Sequence, residues 1–180
     1  MSSLARVTTL ATPDGPFTII AADAVLASGW SDDVESLRLL IHPTLRPTTI
    51  TTADQGQIAA NSPLGQAASA VEAYYTGDLD APSAIPVTQR SGEFREQAWE
   101  TLRLVEPGEA ITYTQFAARA GRPAAVRAAA SACAFNAAAL FVPCHRILRS
   151  DGSLGGFRYG PAIKESLLRR EGTSPFLPGV

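Results

Sequence analysis

One stretch near the middle of the chain limits the possible folds more than any other: Asp78 to Gly92, with the sequence DLDAPSAIPVTQRSG. Its Asp, Pro, Ser and Gly residues favour turns over long helices or strands. It separates two segments of different character, and 180 residues are enough for two small domains. We therefore predict an N-terminal α/β domain in residues 1–90 with a linker at about 78–92, a second domain in residues 91–173, and a loose tail in residues 174–180.

The first segment has the pattern of a small α/β unit. Three short strands are predicted, with a tight turn at Asp14-Gly15 after the first: Arg6–Leu10, Phe17–Ala21 and Val25–Trp30. A helix is predicted from about Leu64 to Tyr75. Residues 43–63 are turn-rich and give no assignment. His42 has no second His or Cys nearby, so no metal site is predicted in this segment.

The second segment is predicted to be mostly helical. Apolar spacing, with Pro and Gly at the ends, indicates four helices: Phe94–Val105 with Ser91 as its cap, Thr114–Ala120, Pro123–Ala134 and Pro161–Arg170. The second and third are joined by a turn at Gly121 and form a helix-turn-helix candidate. An apolar run at Ala138–Val142 predicts a strand that leads into Pro143-Cys144-His145-Arg146.

Charge is distributed unevenly along the chain. The net charge of −2 argues weakly against nucleic-acid binding. Between Ala110 and Arg170, however, there are nine basic residues and only two acidic ones. Such a basic region in an acidic protein is typical of a surface that contacts phosphates. A solvated face of ordinary charge is the alternative interpretation, and the charge pattern alone does not choose between them.

Other features of the sequence argue against a secreted or membrane-bound protein. The two cysteines, Cys133 and Cys144, are too few for a disulfide framework and favour a reducing cytoplasm. No apolar run approaches the length of a membrane span, and Met1 to Arg6 lack the pattern of a secretory signal. We therefore expect a cytoplasmic protein with no membrane partner.

The pair Cys144-His145 is the first candidate for chemistry. A thiol must become a thiolate to attack, and an adjacent imidazole can take its proton directly or through water. Pro143, before the cysteine, would hold it rigidly at the wall of a pocket. The alternative is a buried structural cysteine beside a surface histidine, and the spacing alone is weak support for catalysis.

The predicted helix PAAVRAAASACAF, residues 123–135, is a candidate for binding a nucleic acid. Its inner face is predicted to be Val126, Ala130 and Cys133, and its outer face Arg127, Ser131 and Ala134. Small side chains around one long cation let a helix approach a groove closely. An Ala-rich core helix with one solvated arginine is the alternative that composition favours. Cys133 is predicted to be a packing residue.

Three more residues complete the candidates from the sequence. Lys164 is the only lysine in the chain, and it lies two helical turns before Glu171, so the two share a face. Tyr113 precedes the first helix of the helix-turn-helix candidate, and its hydroxyl could donate a proton or contact DNA. The alternatives are a solvated helix face for the first two and a half-buried tyrosine for the third.

Taken together, Leu140-Phe141-Val142-Pro143-Cys144-His145-Arg146-Ile147 resembles the active-site motif of the O6-alkylguanine-DNA alkyltransferases, the methylated-DNA–protein-cysteine S-methyltransferases. The match continues in the family's order and spacing at Tyr113, Val126-Arg127-Ala128, Asn136, Gly155, Lys164 and Leu167-Leu168-Arg169-Arg170-Glu171. The resemblance is strong from Phe94 to Gly172 and weak over residues 1–90.

The resemblance implies an α+β protein with a small ribonuclease-H-like N-terminal domain and a winged-helix-like C-terminal domain that contains the helix-turn-helix. It implies direct-reversal DNA repair: the alkyl group of O6-alkylguanine, and also of O4-methylthymine, passes to Cys144 in one irreversible turnover, with no cofactor and no metal. The implied partner is double-stranded DNA, bound through the minor groove by a monomer located in the cytoplasm at the nucleoid, with the target nucleotide flipped out.

The resemblance also implies the roles of catalytic residues. Cys144 is the acceptor, His145 removes its proton through water, and Glu171 orients the histidine. Two further groups, Tyr113 and Lys164, would assist the departure of guanine. The last member of the implied catalytic set is Asn136, which braces the turn before the active-site segment.

Binding residues follow from the same resemblance. Arg127 would fill the space that the flipped nucleotide leaves, and the other implied DNA contacts are Ala128, Tyr113, Thr114, Arg122 and Ser150. The implied substrate pocket comprises Cys133, Ile147, Phe157 and Arg158. Two features depart from the family pattern: Phe135 stands where a small residue is usual, and Ala137-Ala138-Ala139 replaces a loop that often contains proline.

Three other functions are weighed against repair. An alkyltransferase-like protein that only recognises the lesion would lack the acceptor cysteine, whereas Cys144 is present here. A helix-turn-helix regulator would bind a specific sequence, usually as a dimer, and gives no reason for the Cys, His and Glu set. A Cys-His hydrolase lacks a recognisable site for an acyl substrate.

Overall fold

The computed structural model describes residues 4–174, so the predicted tail lies outside the described residues except for Ser174. The described chain is a mixed α+β structure, which confirms the predicted class at that level. It divides into two units, Met1–Arg90 with Ala137–Phe141 and Ser91–Asn136 with Val142–Val180. The segment predicted as a linker up to Arg90 therefore belongs to the first unit, where Pro82 and Ile85 are buried.

A four-stranded sheet forms the centre of the first unit. Its strands are β1 (Leu4–Thr12), β2 (Gly15–Ala21), β3 (Val25–Gly29) and β4 (Thr49–Thr52), in the order β3-β2-β1-β4. β1 and β4 are parallel and the other pairs are antiparallel. The predicted turn is present: Gly15 has φ 108°, and the Thr12 hydroxyl donates to its carbonyl at 2.7 Å.

Two helices complete the first unit. α2 (Pro63–Thr76) confirms the predicted helix; Ser62 caps its start, and it ends at Gly77, which has φ 116°. α1 (Val34–Leu40) was not predicted, and neither was β4. α1 has only seven residues and begins at an Asp33 cap, while the β4 side chains are largely exposed, so neither has a strong apolar period.

The apolar run predicted as a strand is irregular in the structure. Residues 137–141 contact β3 through an isolated bridge between Ser28 and Ala138, and the Ser28 hydroxyl donates to the Ala139 carbonyl at 2.8 Å. Leu140 has φ 73°, a left-handed conformation that ends regular pairing. The prediction of a strand over Ala138–Val142 was therefore wrong.

The second unit consists of four helices and two short parallel strands. They are α3 (Glu93–Arg103), β5 (Ile111–Thr112), α4 (Tyr113–Arg119), α5 (Val126–Ala134), β6 (Ile147–Leu148) and α6 (Pro161–Arg170). All four predicted helices are present. The cap of α3 is Gly92 rather than Ser91, and α5 begins at Val126 rather than Pro123. Residues before it form a turn in which the Ala125 N–H donates to the Arg122 carbonyl at 2.8 Å.

The buried face of α5 differs from the predicted one. Ala129 and Ala132 are fully buried, whereas Val126, Ala130 and Cys133 are only partly covered. The Trp99 indole N–H donates to the Ala132 carbonyl at 2.9 Å and fixes α5 against α3. Small residues let the two helices approach closely, so packing rather than hydrophobicity selects the buried face.

The lengths of the helices can be compared with the length that a membrane span needs. Among residues 4–174, no helix has both the length and the apolar character that crossing a bilayer requires.

Candidate active site

Cys144 is the first residue of a short 3₁₀ turn, Cys144–Arg146, that follows Pro143 and leads into β6. The residue is buried, with 8 % of its surface exposed. Its sulfur accepts a hydrogen bond from the Asn136 side-chain amide at 3.2 Å. Burial raises the pKa of the Cys144 thiol, and the Asn136 hydrogen bond and the nearby Lys164 charge oppose that rise.

Asn136 connects the end of the α5 segment to the residues before the cysteine. Its amide also donates to the Val142 carbonyl at 2.8 Å, and the residue is buried. One amide therefore orients both the sulfur and the backbone two residues before it. The bracing role of Asn136 stays a prediction.

His145 and Glu171 meet in the interior, as their predicted roles require. His145 Nε2 lies 2.9 Å from Glu171 Oε1, and neither side chain is exposed. Because an ionised carboxylate can only accept, we assign the proton to Nε2. Nδ1 then carries the free lone pair, and among the described residues this buried atom has no hydrogen-bond partner.

Arg146 is the third member of this network, and the sequence analysis gave it no role. Its Nε and Nη2 donate to the two carboxylate oxygens of Glu171 at 3.0 and 2.9 Å, and Nη1 donates to the Val105 carbonyl. Its place next to His145 in the motif was the available signal. A buried bidentate pair cannot be read from sequence because its partner is 25 residues away.

Opposing effects determine the protonation states of Glu171 and His145. Burial favours the neutral carboxyl, but the contacts with His145 and Arg146 lower the pKa of Glu171 to about 2. Burial lowers the pKa of His145, and the Glu171 charge only partly offsets that effect. The network at neutral pH is therefore an ionised Glu171 between a cationic Arg146 and a neutral imidazole.

Lys164 is fully buried in α6. Its ammonium donates to the Ile147 carbonyl at 2.6 Å and to the Leu154 carbonyl. Burial lowers the pKa of Lys164 to about 8. The lysine thus joins β6 to the loop that follows it, a structural contact that the sequence analysis did not predict. Its charge also acts on both thiols, since it opposes the rise in their pKa values.

Tyr113 is the first residue of α4 and is partly buried. Burial raises the pKa of its hydroxyl to about 12, and the two cysteines add to the rise because their thiolate charges would lie nearby. Gly155, with φ 68°, packs beside it: a Cβ at that position would lie 3.6 Å from the Tyr113 hydroxyl. The structure therefore places Tyr113 beside Gly155 and within electrostatic range of the cysteines.

The residues expected to line the pocket have different environments. Ile147 is fully buried, and burial and the Cys144 charge raise the pKa of the Cys133 thiol. The Phe157 ring packs edge-on against Tyr159, with centroids 5.6 Å apart. Arg158 is exposed, and its Nη2 donates to the Ala134 carbonyl, the last of α5.

The residues expected to contact DNA are mostly at the surface. Those with exposed side chains are Arg127, Ala128, Thr114, Arg122 and Ser150. Arg127 and Ala128 are in the first turn of α5. α4 and α5 are joined by residues 120–125 and pack against each other, as a helix-turn-helix does.

The chain was compared with known proteins. Residues 93–173 match the family model described as 6-O-methylguanine DNA methyltransferase, DNA binding domain. The Escherichia coli bifunctional transcriptional activator/DNA repair enzyme Ada is 48 % identical over 92 residues, or 51 % of this chain. The chain spans only 26 % of the length of that relative.

Two further matches cover nearly the whole chain. The methylated-DNA–protein-cysteine methyltransferase of Shigella flexneri is 31 % identical over 165 residues, which are 91 % of this chain and 93 % of the relative. The crystal structure of Mycobacterium tuberculosis OGT in complex with DNA has a TM-score of 0.73 and 25 % identity, covering 92 % of each chain. The site described above and these matches agree, and the chain belongs to the methylated-DNA–protein-cysteine methyltransferase family.

Proposed function

We propose that the protein repairs DNA by direct reversal: it transfers the alkyl group from O6 of guanine, and also the methyl group of O4-methylthymine, to Cys144. The observation that carries the proposal is the buried network in which Asn136 holds the sulfur and Glu171 orients His145. Each molecule acts once, because the thioether product is stable.

The chemistry assigns a place to each proton and electron pair. Sγ of Cys144 attacks the alkyl carbon, the C–S bond forms, and the C–O bond breaks with its electron pair left on guanine. The thiol proton passes through water to Nδ1 of His145, the ring nitrogen that carries the free lone pair. The Glu171 carboxylate then stabilises the imidazolium, since it already lies 2.9 Å from Nε2.

Guanine is a poor leaving group unless its developing negative charge is met by a donor. We assign that task to the Tyr113 hydroxyl, with assistance from the positive charge of Lys164. Charges on Cys144 and Cys133 raise the pKa values of both Tyr113 and Lys164, which supports their proximity to the reacting atoms. The substrate pocket of this proposal consists of Cys133, Ile147, Phe157 and Arg158.

The proposed partner is double-stranded DNA that contains O6-alkylguanine. α5 would lie in the minor groove, and Arg127 would occupy the space of the flipped nucleotide. The other proposed contacts are Ala128, Tyr113, Thr114, Arg122 and Ser150. Exposure of Arg127 and the small Ala128 beside it supports this arrangement. We further propose a monomer that acts in the cytoplasm at the nucleoid and needs neither cofactor nor metal.

Domain assignments belong to the same proposal. We infer that residues 1–90 are a ribonuclease-H-like domain and residues 91–173 a winged-helix-like domain. The antiparallel β1, β2 and β3 next to a parallel β4 support the first assignment. The α4–α5 pair followed by β6 supports the second.

Intact-mass spectrometry tests the proposed reaction. The chain is incubated with a duplex that contains one O6-methylguanine, beside Cys144→Ala and the control Cys133→Ser. The expected result is a gain of one methyl group on the wild type and on Cys133→Ser, and none on Cys144→Ala. Tight binding to the lesion without a mass gain would instead support recognition without repair.

A further inference from the structure

A cavity of about 400 Å³ lies within the second unit, between the first turn of α3 and α5. Arg95 and Arg122 line it, with Ala128 and Ser131 on the α5 side. No residue of the cavity belongs to the proposed transfer chemistry. Arg122 and Ala128 are already among the proposed DNA contacts, whereas Arg95 has no role so far.

Arg95 is held in one position at the wall of the cavity. Its Nη1 donates to the Ser91 hydroxyl at 2.9 Å, and its Nη2 donates to the Ser131 hydroxyl at 3.1 Å. Its guanidinium carbon lies 4.4 Å from the centroid of the Phe135 ring. All three partners are neutral, so they orient the guanidinium without forming an ion pair. The Glu96 carboxylate lies nearby, where it accepts from the Ser91 N–H at 2.8 Å.

Arg122 provides a second cation at the same cavity. Its guanidinium carbon lies 5.1 Å from the centroid of the Phe94 ring. Within residues 4–174, no carboxylate forms a salt bridge with Arg95 or Arg122. Glu93 also lines the cavity, but the two guanidinium groups outnumber it. A small anion with several acceptor oxygens fits this wall.

We infer that this cavity seats one phosphate of the DNA backbone, bound jointly by Arg95 and Arg122. The inference rests on the proposed function, because it requires DNA along the exposed face that carries Arg127 and Ala128. Ala128 belongs both to that face and to the cavity wall, so a duplex lying on α5 brings its sugar-phosphate chain to the opening. Arg95 is thereby assigned a DNA contact that the family motif does not contain.

The contacts that orient Arg95 favour phosphate binding. Two serine hydroxyls and an aromatic ring fix the Arg95 side chain before DNA arrives, so little side-chain entropy is lost on binding. Phe135 is 58 % exposed. We explain the exposure of this large apolar side chain by its contact with Arg95, because its ring packs against the guanidinium group.

Binding to undamaged duplex DNA tests the inference, by fluorescence anisotropy at several salt concentrations. Arg95→Gln and Arg122→Gln are compared with Arg169→Gln, whose arginine is exposed on α6 and paired with Glu165. Loss of one phosphate contact is expected to reduce the slope of log K against log salt by about 0.9. The control variant is expected to retain the wild-type slope.

A second experiment locates the phosphate. Each phosphate of the duplex is replaced in turn by a neutral methylphosphonate. We expect one position at which neutralisation weakens binding of the wild type and of Arg169→Gln, but has no further effect on Arg95→Gln or Arg122→Gln. An unchanged salt slope for Arg95→Gln, or different insensitive positions for the two arginine variants, would overturn the shared site. Methyl transfer to Cys144, measured by mass at saturating lesion duplex, tests the proposed function separately, because Arg95 takes no part in the chemistry.

Discussion

At the scale of single residues, the site depends on a few buried polar groups that satisfy one another. Cys144 has Asn136, and Glu171 has both His145 and Arg146. Removing one partner takes a hydrogen bond from a buried polar group, which costs more than the bond itself contributes. Stability and activity are therefore expected to respond together at these positions.

Asn136→Ala is expected to lower the free energy of unfolding by about 1 kcal/mol, because the buried Val142 carbonyl loses one of its two donors and keeps only the Cys144 N–H. The rate of methyl transfer is also expected to fall, since Cys144 loses the hydrogen bond that orients its sulfur. Chemical denaturation and single-turnover kinetics measure the two effects. Asn61→Ala, at an exposed position, is the control, and an equal loss in both variants would contradict the role of Asn136.

Glu171 is expected to make the free energy of unfolding depend on pH in the acidic range. Its pKa is about 2 in the folded protein against an ordinary 4.5, so its contribution is complete above pH 4.5 and is lost as the pH falls toward 2. The loss is on the order of 3 kcal/mol. The buried His145 acts in the same direction, because its lowered pKa means that protonation below pH 6.5 favours unfolding.

Urea denaturation of the wild type and Glu171→Gln between pH 7 and pH 3 checks this expectation. The variant is expected to be less stable at pH 7, because the buried Arg146 loses its ionised partner. Its stability is also expected to change less below pH 5. A variant that loses as much stability with acid as the wild type would show that other carboxyl groups dominate.

At the scale of helices and strands, the ends of the elements place the site. Thr112 caps α4 with a complete capping box: its hydroxyl accepts from the Gln115 N–H, and the Gln115 side chain accepts from the Thr112 N–H at 2.8 Å. The next residue, Tyr113, starts the helix. The cap thus fixes the direction of the tyrosine that is proposed to assist guanine departure.

Thr112→Ala is expected to lower the free energy of unfolding by about 1 kcal/mol, the usual cost of losing such a cap. Thr114→Ala, two positions later at an exposed site of the same helix, is expected to change it little. Thermal and chemical denaturation of the two variants decide the matter, and equal stability of the two would exclude a capping role.

Gly77→Ala is expected to be destabilising by about 1 kcal/mol, since Gly77 ends α2 with φ 116°, a conformation that alanine adopts only with strain. A Cβ there would meet no atom within 4 Å, so the cost is backbone strain alone. Gly56→Ala, which meets open space without a positive φ, is the matched control in the same denaturation experiment. Loss of stability in the control alone would contradict the argument.

The sequence patterns predicted the long helices but not the short elements α1 and β4. The period of apolar residues was sufficient for α2, α3 and α6, whereas α1 and β4 are short and largely exposed. In α5 nearly every residue is small, so no apolar period distinguishes its faces, and Trp99 decides which one is buried. The irregular segment 137–141 follows from the left-handed Leu140, which no residue pattern indicates.

At the scale of the whole molecule, the residues of the proposed chemistry all belong to the second unit. The residues of the Cys144 network come from the α5 end, the 3₁₀ turn and the end of α6. The sequence motif predicted the cysteine, the histidine and the glutamate as a set. It could not predict that Arg146 pairs with Glu171 or that Lys164 donates to two backbone carbonyls, because such contacts depend on the fold.

Under the proposed function, each molecule transfers one alkyl group, irreversibly, to Cys144. To measure this directly, the protein is incubated with a tenfold excess of O6-methylguanine duplex, and the repaired guanines per protein molecule are counted over time. Peptide fragmentation then locates the methyl group in the protein. We predict a plateau at one repaired guanine per molecule, with all of the label on Cys144. Continued turnover beyond one guanine per molecule, or a methyl group on Cys133 in place of Cys144, would rule out the proposed reaction.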